Sequence, residues 1–327
     1  MSTSMYTESV LVVIVNYRTA QLTIDCLESL RTELAVMPNL RVVVTDNASG
    51  DDSNEQIAGY LAGAGFGDRV EFMPLSTNGG FAFGNNAAIR PALAVDNPPD
   101  FVLLLNPDTL VRPRGIVELV EFMRHHAEVG IVGSRLEDPD GTAQVSAFRF
   151  PSVISEFDHA LRLGLVTRFV KHKVVAPPIP QSEVQIDWVA GASMLIRRQV
   201  FDAIGLLDEN YFMYYEEVDF CWRAKEAGWS CWYAPQSHVV HLVGQASGVT
   251  IRNVRPKRRP DYWFDSRRRY FVRTLGKMGA VLSDAGTLFG LAVWQVRCLV
   301  QRKQNMDPPR LLFDQLRHSV FLRGFSS

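Results

Sequence analysis

Cysteine is scarce in this chain, and its few copies lie far apart. No two of them form a Cys-x-x-Cys pair, which argues against a disulfide framework and indicates small core residues in a reducing compartment. The four are Cys26, Cys221, Cys231 and Cys298. The first ten residues also lack the basic start and the cleavable apolar stretch of a secretory signal. We therefore expect a cytoplasmic protein.

Two glycine-rich signatures of nucleotide binding are also missing. The chain has neither the Gly-x-Gly-x-x-Gly turn of dinucleotide-binding folds nor the Gly-x-x-x-x-Gly-Lys-[Ser/Thr] phosphate loop. The glycine-rich run at residues 63–67 has the wrong spacing, and it precedes a predicted strand instead of following one. Dinucleotide oxidoreductases and P-loop nucleoside triphosphatases are therefore poor candidates.

No apolar run crosses the expected thickness of a bilayer without interruption. The segment at residues 278–300 is broken by Asp284 and Arg297. About a dozen clean apolar residues remain where a membrane span needs about twenty. We expect this segment to pack against the protein.

The formal net charge of -1 hides a strong asymmetry along the chain. Residues 252–327 hold sixteen Lys and Arg against five Asp and Glu, whereas residues 1–251 hold eighteen against thirty. The basic triplets at 257–259 and 267–269 alternate with aromatic residues, which suits either a peripheral contact with anionic lipid headgroups or a solvated helical cap. The acidic body and the lack of a recognisable binding module argue against nucleic acid as a partner.

Three predicted strands end abruptly in polar residues. Apolar and β-branched residues run without alternation through 10–15, 42–44 and 101–105, as in strands covered on both faces. Helix-like stripes separate them, so the pattern predicts an α/β fold with a mainly parallel sheet. Such sheets bind ligands beyond the carboxyl ends of their strands. The polar residues there, which we expect to line one pocket, are Asn16, Asp46, Asn47, Asn106 and Asp108.

Two segments beside this edge suit a nucleoside diphosphate and a metal ion. Asp108 follows a buried strand, and such a carboxylate can hold Mg²⁺ or Mn²⁺ bridging a diphosphate. A plain Asx-Pro turn is the alternative. The segment Asn78-Gly79-Gly80 stands at a predicted helix start, where free backbone N–H groups and the helix dipole favour an anion, although an ordinary glycine turn has the same composition.

A dense acidic motif follows much later in the chain. Glu216, Glu217 and Asp219 fall within four positions among aromatic residues, where they would repel one another unless a cation or a substrate hydroxyl used them. We expect one carboxylate to face the pocket while others orient neighbours such as Arg223; a capped, salt-bridged helix is the alternative. His241 either completes a metal site as a neutral imidazole or has a structural role.

Taken in order, these motifs resemble the family 2 inverting glycosyltransferases of the GT-A fold, especially the bacterial rhamnosyltransferase-like branch. The resemblance covers about residues 10–250. It implies a Rossmann-like catalytic domain at 1–250, with a nucleotide-sugar half at about 1–135 and an acceptor half at about 136–250, and a basic, largely helical extension at 251–327. The matching pieces are Val15-Asn16-Tyr17, Asp46-Asn47-Ala48-Ser49, Asn78-Gly79-Gly80-Phe81, Asn106-Pro107-Asp108, Gly191-Ala192-Ser193-Met194, Tyr215-Glu216-Glu217-Val218-Asp219, and His241 ahead of Gly244-Gln245-Ala246-Ser247-Gly248.

The resemblance also implies a role for each matched residue. Glu217 would be the catalytic base, and Asp108 with His241 would hold Mg²⁺ or Mn²⁺. The sequence departs from many relatives at two points, because Asn106 replaces the first aspartate of the DxD motif and Glu217 replaces the aspartate of an ED pair. The donor-binding residues implied are Val15, Asn16, Tyr17, Asp46, Asn78, Gly79, Asn106, Gly191 and Ala192, with Asp46 accepting from the pyrimidine ring N–H.

The implied activity is transfer of a sugar, with dTDP-rhamnose as the first choice of donor, to a saccharide or polyprenyl-linked acceptor in cell-surface polysaccharide synthesis. Glu217 would need placement more than a shifted pKa, since a glutamate near about 4.3 is ionised at neutral pH. The expected partners are a dTDP- or UDP-linked donor and the inner face of the plasma membrane, with a homodimer left open. A sugar nucleotidyltransferase and a non-catalytic sugar-nucleotide scaffold are the alternatives.

Overall fold

The structure is a computed structural model that describes residues 6–242 and 256–326. Its strands follow the predicted alternation with helices along the first half of the chain. They are β1 (Val10–Asn16), β2 (Leu40–Asp46), β3 (Val70–Pro74), β4 (Phe101–Leu105), β5 (Thr109–Val111), β6 (Val129–Glu137), β7 (Ala147–Phe148), β8 (Val184–Ile186), β9 (Trp188–Val189), β10 (Ser193–Arg197) and β11 (Ser230–His241).

Most strands join one central sheet, in the order β3-β2-β1-β4-β10-β6-β11-β5, with β8 also paired to β11. The first four of these strands pair in parallel, as β6 and β11 also do. The strand β10 runs antiparallel between β4 and β6, and β5 runs antiparallel to β11. The predicted α/β fold with a mainly parallel sheet is confirmed.

Helices cover both faces of this sheet. Alternate side chains of β1 enter two cores, so that Val12 packs on one face and Val13 on the other. Each of the four cysteines is buried and free, as predicted. The helices are α1 (Ala20–Ser29), α2 (Arg31–Val36), α3 (Ser53–Ala64), α4 (Gly80–Leu93), α5 (Gly115–His125), α6 (Val153–Leu161), α7 (Gly164–Val170), α8 (Arg198–Ile204), α9 (Glu216–Glu226), α10 (Asp261–Val300), α11 (Leu311–Arg317) and α12 (Val320–Arg323).

Two strand boundaries position residues of the acidic side of the sheet. The segment at 188–197 forms β9 and β10, and Gly191 and Ala192 lie in the turn between them. The strand β11 runs as far as His241. Pairing with β6 resumes at His238 after a shift in register, and the end of β11 pairs with β5, so neighbouring strands sustain it.

The long helix α10 carries most of the C-terminal part. It is interrupted at Gly276, whose φ of 68° is left-handed. Beyond this break it packs along α6, where a Cβ on Gly290 would lie 2.7 Å from the Cβ of Ala160. Among the described residues it is the one helix long and apolar enough to cross a membrane, with a mean hydropathy of 1.2 in an 18-residue window that is 33% buried. The expected packing is therefore seen on one face, and the other face is exposed.

The basic triplet at 267–269 faces the protein rather than the solvent. Arg267 is 2% exposed and donates to Glu156 at 2.7 Å and to Asp284 at 2.5 Å. Arg269 pairs with Asp208 at 2.7 Å. Because these guanidinium groups bind carboxylates inside the molecule, the structure supports a helical cap here and not a lipid contact, and this part of the cap is buried rather than solvated.

Candidate active site

The ends of β1 and β2 are joined by buried hydrogen bonds. Asn16 donates from Nδ2 to Oδ1 of Asp46 at 2.6 Å, and Ser49 donates to the same carboxylate through its backbone N–H and its hydroxyl. Asp46 is fully buried, so in this structure it fixes the loop 46–49. Its predicted contact with a pyrimidine ring stays a prediction.

The three residues at the end of β1 differ in what they expose. Val15 is buried beneath α4, where Gly84 leaves room for it, and Asn16 is fully buried. The ring of Tyr17 is 38% exposed, and the guanidinium carbon of Arg18 lies 5.1 Å from its centroid. Tyr17 is therefore the residue of this motif with a surface available to a ligand.

The glycine segment at the start of α4 is held by side chains and by a distant loop. Asn47 donates from Nδ2 to Oδ1 of Asn78 at 3.0 Å, and that oxygen also accepts from the N–H of Gly80. Gly80 has a φ of 88°, and a Cβ there would lie 1.8 Å from the carbonyl oxygen of Phe212. That same oxygen accepts from the N–H of Phe81 at 2.9 Å.

These bonds correct one expectation about the helix start. The N–H groups of Gly80 and Phe81 were expected to be free for an anion, yet both are already donating within the protein. Sequence proximity gave no sign of the contact with Phe212, which comes from a remote loop. Fewer backbone N–H groups are therefore free to bind a diphosphate at the start of α4 than the motif predicted.

A second group of predicted residues meets at the ends of β4 and β11. The N–H of Asn106 donates to the carbonyl of Ala192 at 3.0 Å. The Nε2 atom of His241 lies 3.6 Å from Oδ1 of Asp108, because β5 and β11 pair in a register that sets His241 opposite Thr109. The motif Gly244-Gln245-Ala246-Ser247-Gly248 lies outside the described residues.

Asp108 and His241 form a two-residue donor set for a cation. Within residues 6–242 and 256–326, no three His, Cys, Asp or Glu side chains gather in one group that could hold a metal. Mg²⁺ and similar hard cations commonly take one or two protein carboxylates and complete their shell with substrate phosphates and water. The pair therefore fits a cation that is shared with a bound diphosphate better than a fully protein-bound one.

The acidic motif lies at the start of α9, after two residues in left-handed backbone. Tyr214 and Tyr215 have φ values of 70° and 69°, which is rare for bulky side chains and common at functional sites. Asp219 is fully buried and accepts from Arg223 at 2.8 Å, as the sequence predicted. Arg223 also donates to the carbonyl of Leu206, so this pair orients the loop that precedes the motif.

The remaining two carboxylates are removed from bulk solvent to different degrees, because Glu216 is buried and Glu217 is half-buried with its Oε2 atom inside the protein. Burial raises the pKa of Glu217, and burial together with the nearby charge of Glu217 raises the pKa of Glu216 well above its ordinary value. The Oε2 atom of Glu217 has no hydrogen-bond partner among the residues described. The expectation that Glu217 has a pKa near the reference value is therefore wrong, because the residue does not face bulk water.

Glu217 lines a cavity that we call the Glu217 cavity. Its volume is about 480 Å³, within the range usual for small-molecule sites. Nothing in the sequence indicates that α6, α10 and α11 form its far walls. Residues that line it include Glu156, His159, Trp188, Tyr215, Glu217, Val218, Arg259, Trp263, Arg267, Thr287, Leu291 and Leu311.

Short contacts link the predicted residues around one edge of the sheet. A Cβ on Gly191 would lie 3.5 Å from the ring of Phe81 and 3.7 Å from Cβ of Glu217. The next residue, Ala192, bonds to Asn106, so the acidic motif and the strand end that carries Asp108 lie side by side. The predicted residues gathered along this edge are Val15, Asn16, Tyr17, Asp46, Asn78, Gly79, Asn106, Asp108, Gly191, Ala192, Glu217 and His241.

The chain is similar to several known proteins. A model of the family described as Glycosyltransferase like family 2 matches residues 8–269. The chain is 30% identical over 227 residues to the N-acetylglucosaminyl-diphospho-decaprenol L-rhamnosyltransferase of Mycobacterium tuberculosis, covering 66% of this chain and 70% of that protein. It is 24% identical over 237 residues to the dTDP-rhamnosyl transferase RfbF of Shigella flexneri, covering 71% of each.

A solved structure shows the same fold. The mannosyltransferase PcManGT of Pyrobaculum calidifontis, in complex with GDP-Man and Mn²⁺, superposes with a TM-score of 0.57 over 92% of this chain and 77% of that one, at 14% identity. The sheet order, the polar strand ends and the family match agree with one another. The chain belongs to the family 2 glycosyltransferases, as a rhamnosyltransferase-like member with the GT-A fold.

Proposed function

We propose that this chain is a metal-dependent, inverting transferase that moves a sugar from a nucleoside diphosphate to an acceptor hydroxyl. The observation that carries the proposal is the position of Glu217. Its side chain lines a cavity, and its Cβ lies close to Gly191, next to the strand end that bears Asp108. A base and a cation-binding pair at one edge are what such a transfer requires.

The donor occupies the carboxyl edge of the sheet in this proposal. Tyr17 offers its exposed ring to the nucleobase of the donor. Asp46 and Asn16 form the floor of the pocket beneath that nucleobase. Asn78, Gly79, Asn106, Gly191 and Ala192 lie along the diphosphate and the sugar. Val15 supports this arrangement from below α4.

Asp108 and His241 would hold Mg²⁺ or Mn²⁺ beside the donor diphosphate. When bound, the cation offsets the negative charge that grows on the departing diphosphate. The structural neighbour was solved with Mn²⁺, which is consistent with such a site. The neutral Asn106 leaves Asp108 as the carboxylate of the DxD-like segment, so we expect weaker metal affinity than with two carboxylates.

Glu217 takes the proton of the acceptor hydroxyl as that oxygen attacks the anomeric carbon. A single displacement of this kind inverts the configuration of the sugar. Burial raises the pKa of Glu217, which makes its carboxylate a better proton acceptor once it is ionised. Its Oε2 atom is buried without a hydrogen-bond partner, so a substrate hydroxyl that reached it would supply the missing hydrogen bond.

The relatives suggest the substrates. Their names specify dTDP-rhamnosyl transfer and an N-acetylglucosaminyl-diphospho-decaprenol acceptor. We therefore propose dTDP-rhamnose as the donor and a polyprenyl-linked saccharide as the acceptor, in cell-surface polysaccharide synthesis at the cytoplasmic face of the plasma membrane. In this proposal residues 1–250 form the catalytic domain, and the extension at 251–327 helps to enclose the acceptor.

The test is the variant Glu217→Gln, which keeps the shape of the side chain and removes the base. We expect sugar transfer to fall roughly a hundredfold to ten-thousandfold. Stabilisation by dTDP-rhamnose in a thermal shift measurement should be unchanged, because other residues bind the donor in this proposal and the variant keeps the shape of the side chain. Glu226→Gln, an exposed change near the end of α9, is the matched control and should act like the wild type.

The products of the wild-type reaction separate the alternatives. Release of nucleoside diphosphate that depends on Mg²⁺ or Mn²⁺ supports the transferase. Release of pyrophosphate would identify a nucleotidyltransferase, and binding without release from any donor would identify a scaffold. Full turnover by Glu217→Gln would remove Glu217 from the role of base.

A further inference from the structure

The Glu217 cavity has an unusual balance of paired and unpaired cations. Arg162, Arg259 and Arg267 all line it. Arg162 pairs with Asp307 at 2.5 Å, and Arg267 pairs with Glu156 and Asp284. Arg259 has no hydrogen bond or ion pair with any residue that the structure describes.

Arg259 is nevertheless held in place. Its guanidinium carbon lies 3.8 Å from the centroid of Trp263, so the planar group stacks on the indole and is half-buried. Stacking occupies the face of a guanidinium and leaves its edge of N–H donors available. The charges of Glu156 and Asp307 act on Arg259 without a direct ion pair, and they do not offset its burial, which lowers the pKa of the guanidinium. A ligand that supplied a further negative charge at its N–H edge would therefore stabilise it.

The rest of the cavity suits a sugar attached to that counter-charge. Glu217 lies in one wall, and Trp188, Tyr215 and Leu291 present aromatic and apolar surface between the polar groups. The carboxylates Glu156 and Asp307 are already bound by other arginines. An acceptor therefore meets a base for its hydroxyl and one unpaired cation in the same cavity.

We infer that the Glu217 cavity binds an acceptor sugar esterified to a phosphate or diphosphate, and that Arg259 binds the phosphate. The inference rests on the proposed transfer reaction and adds the residue that recognises the phosphate of the proposed acceptor. Arginine recognises phosphate through paired N–H donors, and a half-buried position strengthens that contact. Arg259 is a binding residue in this assignment and takes no part in proton transfer.

The experiment compares acceptors with and without the phosphate. The probes are N-acetylglucosaminyl diphosphate carrying a farnesyl chain, N-acetylglucosamine 1-phosphate, and octyl N-acetylglucosaminide, each with dTDP-rhamnose. For Arg259→Gln we expect the KM of the first two to rise roughly tenfold to a hundredfold while kcat is kept. The KM of the neutral glycoside and the donor affinity should not change. Lys257→Gln, an exposed neighbour, is the control.

The outcomes separate this inference from the proposed function. Equal rises in KM for charged and neutral acceptors, or no rise at all, would overturn the role of Arg259. Arg259→Lys should recover part of the affinity because it keeps the charge, and failure of that recovery would also count against phosphate binding. If the wild type transfers sugar to none of the acceptors, the proposed function itself fails. A preference for the farnesyl compound over the 1-phosphate identifies a lipid-linked source.

A second observation, independent of the cavity, concerns the outer face of α10. From Met278 to Val300, its exposed positions recur about every three or four residues and are all apolar. We call this face the apolar stripe. Its large members and their exposure are Met278 at 71%, Leu282 at 51%, Phe289 at 60%, Val296 at 59%, Leu299 at 79% and Val300 at 78%.

Neighbouring residues extend the apolar stripe and border it with positive charge. Leu165 and Phe169 of α7 are 71% and 74% exposed. Residues 160–175 contain no Asp or Glu, and the one acid within 277–304, Asp284, is buried. Exposed basic residues flank the apolar ones, namely Arg168, Lys171, Lys173, Lys277, Arg302 and Lys303.

The charges select the occupant of this surface. A second copy paired through the stripe would bring Lys277 against either Lys277 or Arg302 of its mate, so like charges would meet in both orientations. An anionic bilayer instead matches an apolar strip bordered by Lys and Arg, in the manner of an amphipathic helix lying in the interface. We propose that the apolar stripe docks on the surface of an anionic membrane.

The test is co-sedimentation with phosphatidylcholine vesicles with or without about a third phosphatidylglycerol. We expect binding to the anionic vesicles, and Leu282→Gln with Val296→Gln should weaken it at least tenfold. Val95→Gln, an exposed apolar position elsewhere, should not. Transfer to a water-soluble acceptor should be unchanged in these variants. Binding that ignores both changes, or a dimer in light scattering that the double variant dissociates, would overturn the proposal.

Discussion

The carboxyl edge of the sheet, where we propose that the donor binds, is built differently from the Glu217 cavity. We call it the donor edge. The donor edge comes from strand ends that are near one another because β1, β2 and β4 are adjacent in the sheet. The far walls of the cavity come from α6, α10 and α11, which approach Glu217 from distant parts of the chain. The edge therefore depends on the sheet, whereas the cavity depends on how the C-terminal helices dock.

The largest effect expected from this difference is on stability, at Arg267. Arg267→Ala leaves the buried Asp284 and the half-buried Glu156 without their cation, which should lower the free energy of unfolding by about 3–5 kcal/mol. Arg198→Ala should have a much smaller effect, because its partner Asp202 is exposed to water. Urea unfolding measures both. Equal losses would mean that the C-terminal helices are not anchored through Arg267.

The next effect concerns the cation pair of the donor edge. Asp108→Asn removes the carboxylate that we propose as a metal ligand, so transfer should fall roughly a hundredfold or more. The Mn²⁺ concentration for half-maximal rate should rise, while unfolding in urea changes little. Asp96→Asn, an exposed change before β4, is the control. An unchanged metal requirement would exclude Asp108 as a ligand.

A smaller effect is expected where the two regions meet, at Gly80. Gly80→Ala places a Cβ on a backbone with a φ of 88° and against the carbonyl oxygen of Phe212. The strain should destabilise the fold by about 1–3 kcal/mol and lower the affinity for both substrates. Gly141→Ala has a similar φ of 85° with open space around it, so it isolates the backbone contribution. Identical behaviour of the two variants would show that the contact with Phe212 is unimportant.

The mildest test is the pH dependence of transfer. Burial raises the pKa of Glu217 above its ordinary 4.5, and the base acts only when ionised. Activity should therefore fall as the pH drops through that raised pKa, which places the acidic limb of kcat/KM above 4.5. Glu226→Gln should leave the limb in place. A limb at or below 4.5 would contradict the buried setting of Glu217.

The sequence predicted what strand periodicity and polar strand ends determine. It identified the edge at Asn16, Asp46 and Asp108, and it anticipated that a carboxylate of the acidic motif would orient Arg223. It could not predict that the carbonyl of Phe212 accepts a hydrogen bond from the N–H of Phe81 at the start of α4, since that contact joins segments that are distant in the sequence. The expectation that the basic triplet at 267–269 contacts lipid or solvent was also wrong, because the sequence does not distinguish a buried arginine from an exposed one.

Two further features had no signal in the sequence. Residues 140–186 showed no periodic pattern, although α6 within them forms a wall of the Glu217 cavity. Arg259 belonged to a basic run that could equally have faced solvent, and only its stacking on Trp263 distinguishes it. Both features depend on how the C-terminal helices pack against earlier parts of the chain, which local propensity does not encode.

The helix α10 has one further consequence, because its two faces serve different neighbours. Thr287 and Leu291 line the Glu217 cavity, and Phe289 between them points away into the apolar stripe. If the apolar stripe docks on a bilayer as proposed, a lipid-anchored sugar would have to rise only about the width of an α-helix, about 10 Å, to reach Glu217. The enzyme would then search for its acceptor by lateral diffusion in two dimensions, and its rate would follow the surface density of the lipid rather than its bulk concentration.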